Sequence, residues 1–225
     1  MADATTELAG EQLVLLSERA IYWPRRRTLI AADLHWGKAA AFRAAGIAIP
    51  AGTTAADLAR LTTALARTGA ERLVLLGDLF HARSGRVPTT LGAIADWRAS
   101  HHAVDLLLVR GNHDRHAGDP PGDLRFTVVN GPHVAAPFVL RHEPAAAPEG
   151  YVLAGHVHPG VTLHGAGRQS VRLPCFAFGR SVGLLPAFST FTGMGDHEVR
   201  ETDRIFVVAG DDVIRASPAG PERAR

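Results

Sequence analysis

The sequence predicts an α/β fold with a strand-rich C-terminal half. Three observations carry this expectation. Short apolar strands alternate with helical patterns up to about residue 110. Beyond residue 120 the helical pattern fades, and short β-type runs follow one another between Gly and Pro. The chain has 225 residues, 46% hydrophobic and 20% charged, which is enough for one soluble domain with a sizeable core.

Taken in order, residues 1–10 are small and polar and are expected to fray. Leu13–Leu16 and Ala20–Trp23 are apolar runs that a turn can join into a hairpin. Pro24 to Arg27 reads as an exposed turn, and Thr28–Ala32 as a buried strand. Lys38–Ala45 is expected to be helical, with Gly46 as its C-cap. Thr53 or Thr54 suits the N-cap of a helix that runs to Thr68 and stops at Gly69. Leu58, Leu61 and Leu65 share one face of that helix. Arg72–Leu76 is the next strand. Pro88 opens a helix to about Ser100, because proline suits a first helical turn. Val104–Val109 follows as another strand. This alternation implies a largely parallel, buried sheet with helices on its faces.

In the second half, Phe126–Val129, Pro137–Leu140, Tyr151–Leu153, Val161–Leu163, Ser170–Leu173, Ile205–Val208 and Val213–Arg215 read as short strands, expected to be antiparallel. Pro218–Arg225 reads as a loose tail. No repeat and no long linker interrupts the chain, so residues 1–225 are expected to form a single domain.

The formal charge of +2 and pI of 9.2 are too mild to argue for nucleic-acid binding alone. Among 24 Lys plus Arg, Lys38 is the one lysine, in a chain that drifts toward Ala and Arg. Cys175 has no partner for an internal disulfide, which suits a reducing compartment. With Phe176 and Phe178 beside it, it is expected to pack rather than react. No run of about 18 apolar residues predicts a membrane span. The first residues lack the basic start and apolar stretch of a secretory signal, so a cytoplasmic location is the default expectation.

The 12 histidines cluster where strands end. Thr28–Ala32 leads into Asp33-Leu34-His35, and Arg72–Leu76 into Gly77-Asp78. Val104–Val109 leads into Gly111-Asn112-His113-Asp114, and Pro137–Leu140 into His142-Glu143-Pro144. Tyr151–Leu153 leads into Gly155-His156-Val157-His158. In open α/β sheets, ligand sites form beyond the carboxyl ends of strands. In extended chain, Asp33 and His35 point to one side, as do His156 and His158. The glycines before Asp78, Asn112 and His156 permit sharp turns and close approach. Any one of these motifs could be a turn. All five together, in this order and at strand ends, point to a metal site.

The order D-x-H, G-D, G-N-H-D, H, G-H-x-H resembles that of the calcineurin-like metallophosphoesterases. That resemblance implies a two-sheet sandwich of mixed β-sheets flanked by helices, with two metals in the active site. A narrower resemblance covers nearly the whole chain. Its residues are Asp33-Leu34-His35-Trp36-Gly37-Lys38, Phe42-Arg43-Ala44-Ala45-Gly46, Gly77-Asp78-Leu79-Phe80-His81, His142-Glu143-Pro144, Gly155-His156-Val157-His158-Pro159 and Leu185-Pro186-Ala187-Phe188 through Phe191-Thr192-Gly193. They are similar to the ligase-associated DNA damage response endonuclease group of bacteria, the PdeM type. Trp36 and Met194 depart from that group's pattern, where a smaller aliphatic residue and a glycine are expected.

The resemblance assigns Asp33, His35 and His158 to a first metal and Asn112, His142 and His156 to a second, with Asp78 bridging. Imidazole, carboxylate and amide oxygen suit manganese, with iron or zinc as options. Two such metals would acidify a bridging water for in-line attack on phosphorus and clamp the phosphoryl oxygens. The resemblance makes His113 the group that protonates the leaving oxygen, and Asp114 is expected to orient its ring. Lys38, His81, Arg83 and Arg86 are candidates for substrate contact. The reaction expected is phosphodiester hydrolysis, as a DNA endonuclease in bacterial DNA repair, with a DNA ligase, an exonuclease and a helicase as associated partners. A small-molecule nucleotide phosphodiesterase or phosphatase is the first alternative. A non-catalytic adaptor of a repair complex is the second.

Overall fold

Two β-sheets face each other across an apolar layer in the computed structural model, which describes residues 2–165, 169–196, 200 and 202–216. The tail expected at Pro218–Arg225 lies outside the described residues.

The first sheet follows chain order: β1 (Ala4–Leu8), β2 (Glu11–Leu16), β3 (Ala20–Trp23), β4 (Thr28–Ala31), β5 (Arg72–Leu76), β6 (Asp105–Val109) and β7 (Phe126–Val129). Strands β1 to β4 pair antiparallel, and β4 to β7 pair parallel. The expectation that residues 1–10 fray is therefore corrected. Ala9 and Gly10, both at positive φ (50° and 81°), make the two-residue turn that pairs β1 with β2. Thr6 and Leu8 are buried on its inner face.

The second sheet contains β8 (His133–Ala135), β9 (Phe138–Arg141), β10 (Tyr151–Ala154), β11 (Pro159–His164), β12 (Ser170–Phe178), β13 (Val182–Leu184), β14 (Gly195–Asp196), β15 (Arg204–Ala209) and β16 (Asp212–Ala216). Its order is β14-β11-β12-β13-β10-β9-β8, with β15 and β16 added on β12. The expected antiparallel pairing holds for β11–β12, β12–β13, β12–β15 and β15–β16. It fails at the centre, where β9, β10 and β13 run parallel. Strand β13 is three residues with a central glycine, too short to show alternation, and it forms by pairing with both neighbouring β12 and distant Val152–Ala154.

The helices are α1 (Lys38–Ala44), α2 (Thr53–Thr68), α3 (Pro88–Ser100) and α4 (Asn112–Ala117). Gly52, at φ 101°, caps α2 in place of the expected threonines, and the Thr54 hydroxyl accepts the Gly37 N–H at 3.1 Å instead. Helix α4 was not expected, since five polar residues and one alanine carry no helical periodicity.

Strand β5 shows how the layers form. Leu73 and Leu75 pack outward with Leu58, Leu61 and Leu65 of α2 and Ile94 and Trp97 of α3. Val74 and Leu76 pack inward with Phe138, Leu140, Leu153 and Phe176 of the second sheet. Alternate side chains fill opposite faces, so both faces of the strand are apolar. Each such buried side chain contributes about 1.5–3 kcal/mol. The outer face of the second sheet holds a smaller cluster with Val139, Val152, Cys175 and Val207. Burial pushes the Cys175 thiol up to about 12, which leaves it a packing residue. Among the described residues, no helix is long and apolar enough to cross a membrane.

Candidate metal centre

The carboxyl ends of β4, β5 and β6 meet those of β9 and β10 at one rim. The seven residues singled out from the motifs come together there. Asp33, His35 and His158 form one group whose ligand atoms lie within 4.8 Å of one another, and Asp78, His142 and His156 form a second. In the first group, His158 Nε2 lies 3.6 Å from Asp33 Oδ1 and 3.4 Å from His35 Nε2. In the second, His142 Nε2 lies 3.0 Å from His156 Nδ1 and 2.8 Å from Asn112 Oδ1. Asp78 reaches both, with Oδ2 at 3.8 Å from His35 Nε2 and Oδ1 at 3.5 Å from His142 Nε2.

The backbone reaches this geometry by a route other than extended chain. Among the described residues, nine non-glycine residues have positive φ, and five of them belong to the cluster: Asp33 (57°), His35 (46°), Asp78 (53°), His156 (71°) and His158 (47°). Each D-x-H or H-x-H pair converges through left-handed turns, which correct the expectation of straight strand. Asp and His tolerate that region better than most residues, at a cost of order 1–3 kcal/mol. The three glycines expected to allow close approach do so against side chains from neighbouring loops. A Cβ on Gly77 would meet His142 Nδ1 at 2.3 Å, one on Gly111 would meet Asp78 Oδ1 at 2.3 Å, and one on Gly155 would meet Asp33 Oδ2 at 2.5 Å.

The donor set fits divalent cations. The Nδ1–H of His142 donates to the Leu76 carbonyl at 2.9 Å, so a neutral ring presents Nε2 as a lone pair. That lone pair faces the Asn112 Oδ1 acceptor. Two acceptors at such a distance repel unless a proton or cation lies between them. Asp33 Oδ1 and His35 Nδ1 are buried without a hydrogen-bond partner, a costly state for polar atoms. Burial, with His158, His113 and Lys38 nearby, holds His35 well below the ordinary histidine value, which favours the neutral ring, the form able to bind a cation. Burial pushes the Asp78 carboxyl up, and the His142 ring opposes the shift.

His113 sits at the edge of the first group, its ring 4.9 Å from His35 and its Nε2 4.0 Å from Asp78 Oδ2. Its Nδ1 bonds the His81 carbonyl at 2.7 Å. This corrects the expectation for Asp114. Both Asp114 oxygens are taken up by backbone: Oδ2 accepts the N–H of Asp78 and of Gly111, each at 2.8 Å, and Oδ1 accepts that of Leu79 at 2.9 Å. Asp114 ties the Gly77-Asp78 loop to the start of α4, and the His81 carbonyl orients His113. Sequence spacing cannot separate these roles, because a carboxylate next to His113 serves either.

Of the other candidates, Lys38 and His81 lie beside the centre, and the ammonium helps depress both His35 and His81. Burial, then Lys38 and His113, push His81 down to about 4. Arg83 is exposed on a short 3-10 turn. Arg86 donates to the Ala117 carbonyl at 2.8 Å and lies over the Phe80 ring at 4.8 Å. Sequence reasoning missed Phe42 and Phe191, whose rings stand 5.9 Å apart at this rim, and the Gly193 carbonyl, which accepts from His158 Nδ1 at 3.2 Å. Trp36, one of the two departures from the family pattern, is buried between Phe80 and Trp97. Met194, the other, packs over Gly160.

The calcineurin-like phosphoesterase family profile matches residues 26–175. No curated protein sequence matches the chain. Among solved structures, Pseudomonas putida nuclease MPE is similar at 44% identity and a TM-score of 0.83, over 95% of this chain and 100% of that one. The E. coli phosphoesterase Yfce is similar at 16% identity and a TM-score of 0.44, over 85% of this chain and 99% of that one. With two thirds of its length matched, and with metal-ligating side chains gathered at the strand ends, this chain belongs to the calcineurin-like phosphoesterase family and is a metal-dependent phosphoric ester hydrolase.

Proposed function

We propose that the protein is a two-metal phosphodiesterase that cuts DNA, acting in bacterial DNA repair. The observation that carries the reading is the convergence of seven nitrogen and oxygen donors from five strand ends, with lone pairs facing one another. Asp33, His35 and His158 would hold one ion, Asn112, His142 and His156 the other, and Asp78 would serve both. Imidazole, carboxylate and amide oxygen without thiolate favour manganese, with iron or zinc as substitutes. When bound, two divalent ions acidify the attacking water and clamp the phosphoryl oxygens. His113, fixed through Nδ1 to the His81 carbonyl, points Nε2 toward the centre and delivers a proton to the leaving oxygen. Asp114 keeps the Asp78 loop and the start of α4 in register.

The choice of DNA is supported by the 44% identity to a nuclease over nearly the whole chain. A role beside a DNA ligase, an exonuclease and a helicase extends the same reading. The decisive measurement is a manganese-supplemented screen of oligodeoxynucleotides, cyclic nucleotides and aryl phosphate mono- and diesters. Cleavage of DNA and of aryl diesters is expected. Hydrolysis confined to monoesters or cyclic nucleotides would replace the DNA reading with a small-molecule one.

A further inference from the structure

A group of rings and one ammonium lines the His35 side of the metal centre. Helix α1 begins directly after the Asp33–His35 loop and sets Lys38 and Phe42 four residues apart, on one face. The Phe42 ring stands edge-on to His81 (5.7 Å between centroids, 90°) and to Phe191 (5.9 Å, 69°). Lys38 Nζ lies 5.9 Å from the centre of the Phe42 ring and 6.0 Å from that of Phe191. Behind them His81 stacks on His113, with centroids 5.1 Å apart.

Packing does not account for this group. Phe42 and Phe191 are only partly buried and belong to none of the apolar clusters of the core. No described carboxylate pairs with Lys38, and burial alone lowers its ammonium. The segment that carries Phe191 is nevertheless braced. Arg19 donates to the Ala187 and Ser189 carbonyls at 3.4 and 3.2 Å, Arg60 donates to the Phe188 carbonyl, and the Phe191 N–H donates to Ser189 Oγ at 3.3 Å. Partly open aromatic faces on a rigid support, next to an unpaired cation, suit a flat ring joined to a phosphate.

We propose that Phe42 and Phe191 form a stacking subsite for one unpaired nucleobase beside the scissile phosphodiester, with Lys38 contacting the adjoining phosphate. The proposal rests on the nucleic-acid reading of the site given above. Base–aromatic stacking tolerates any base, because every base has a π-face. A base inside a duplex has both faces covered, so the subsite takes a nucleotide that has left the stack. A compact ammonium fits beside two rings where a planar guanidinium would compete for their faces.

The test compares two chromogenic diesters with manganese added: thymidine 5′-(p-nitrophenyl phosphate), which carries a base, and methyl p-nitrophenyl phosphate, which does not. The native enzyme is expected to favour the thymidine ester in kcat/KM by roughly 5–100-fold, the range that stacking of one base provides. Phe42→Leu and Phe191→Leu should collapse that ratio toward one, and Phe191→Tyr should keep it. Binding gives a second readout. An oligodeoxynucleotide carrying 2-aminopurine should lose fluorescence on the metal-free native protein and keep it on the leucine variants. A ratio unchanged in both leucine variants overturns the subsite while leaving the nucleic-acid reading in place. Hydrolysis of the methyl ester without that of the thymidine ester overturns both.

Discussion

The two halves of the metal centre are fixed by different means. Around Asn112 and His142, hydrogen bonds do the positioning. Leu76 holds the His142 ring, and Asp114 ties down the start of α4, from which Asn112 projects. Around Asp33, His35 and His158, left-handed backbone turns do more of it, and the protein leaves Asp33 Oδ1 and His35 Nδ1 buried without partners. The first is held in place by the protein's own hydrogen bonds, although its facing His142 and Asn112 acceptors still call for a proton or cation between them. The second leaves buried atoms that a bound cation would satisfy. The half with unpaired atoms is where metal binding and stability are expected to be coupled more strongly.

The largest effect expected comes from the residue common to both halves. Asp78→Ala should abolish hydrolysis and remove both ions, because one carboxylate serves two. Elemental analysis of the soluble variant checks this, and two tightly held metals would break the division proposed here.

His113→Ala acts outside both halves. It should retain two metals and slow turnover by roughly 10²–10⁴-fold. The loss should shrink for esters with good leaving groups, which need less protonation. An equal loss for good and poor leaving groups would argue against His113 as the acid.

Asp114→Ala sharpens the comparison on the hydrogen-bonded side. Three backbone N–H groups would lose a charged acceptor in a buried place, at a total of roughly 3–5 kcal/mol. For a chain of this size the melting temperature should fall by on the order of 10 °C. If Asp114 instead served only to orient His113, turnover would fall with the melting temperature unchanged.

The smallest effect isolates the other half. Chelation should lower Tm by roughly 5–10 °C, from about 2.7 kcal/mol of linkage at a hundredfold excess over Kd. Asp33→Asn should narrow the gap between loaded and chelated forms, since an amide places no unpaired charge beside His158. A gap as wide as in the native protein would show that the unpaired oxygen is not the source. The chelated protein should also weaken as pH falls below about 6.5. Burial lowers His35 and His81, the latter to about 4, so the unfolded chain takes up protons first across that window and stability is lost as pH falls through it.

Much of this centre was legible from residues alone. Each apolar run of the first half is followed at once by a ligand type, and strand ends gather such residues whatever the loops do. The glycines before Asp78, Asn112 and His156 were legible for the same reason. The positive φ of Asp33 and His35 was not, since a D-x-H triplet reads as strand as readily as turn. Neither was the carboxylate of Asp114, two of whose three partners come from a loop far away in sequence. The pairing of Phe42 with Phe191 depends on β13 delivering the chain back to the rim, and β13 is set by pairing with β12 and with distant Val152–Ala154 rather than by any pattern of its own.

The left-handed turns also bear on how this protein would decay in a lineage that stopped using it. Five side chains sit where glycine would be more comfortable, and each exacts of order 1–3 kcal/mol. A copy freed from catalysis would relieve that strain most cheaply by placing glycine at the exposed His156, whereas Asp33 and Asp78 also accept the His156 and His113 N–H groups. The descent would also be one-way. The first replacement weakens cation binding, and weaker binding removes the reason to keep the remaining four. Catalytic erosion in this fold therefore starts at the rim and leaves a more stable, inert protein behind.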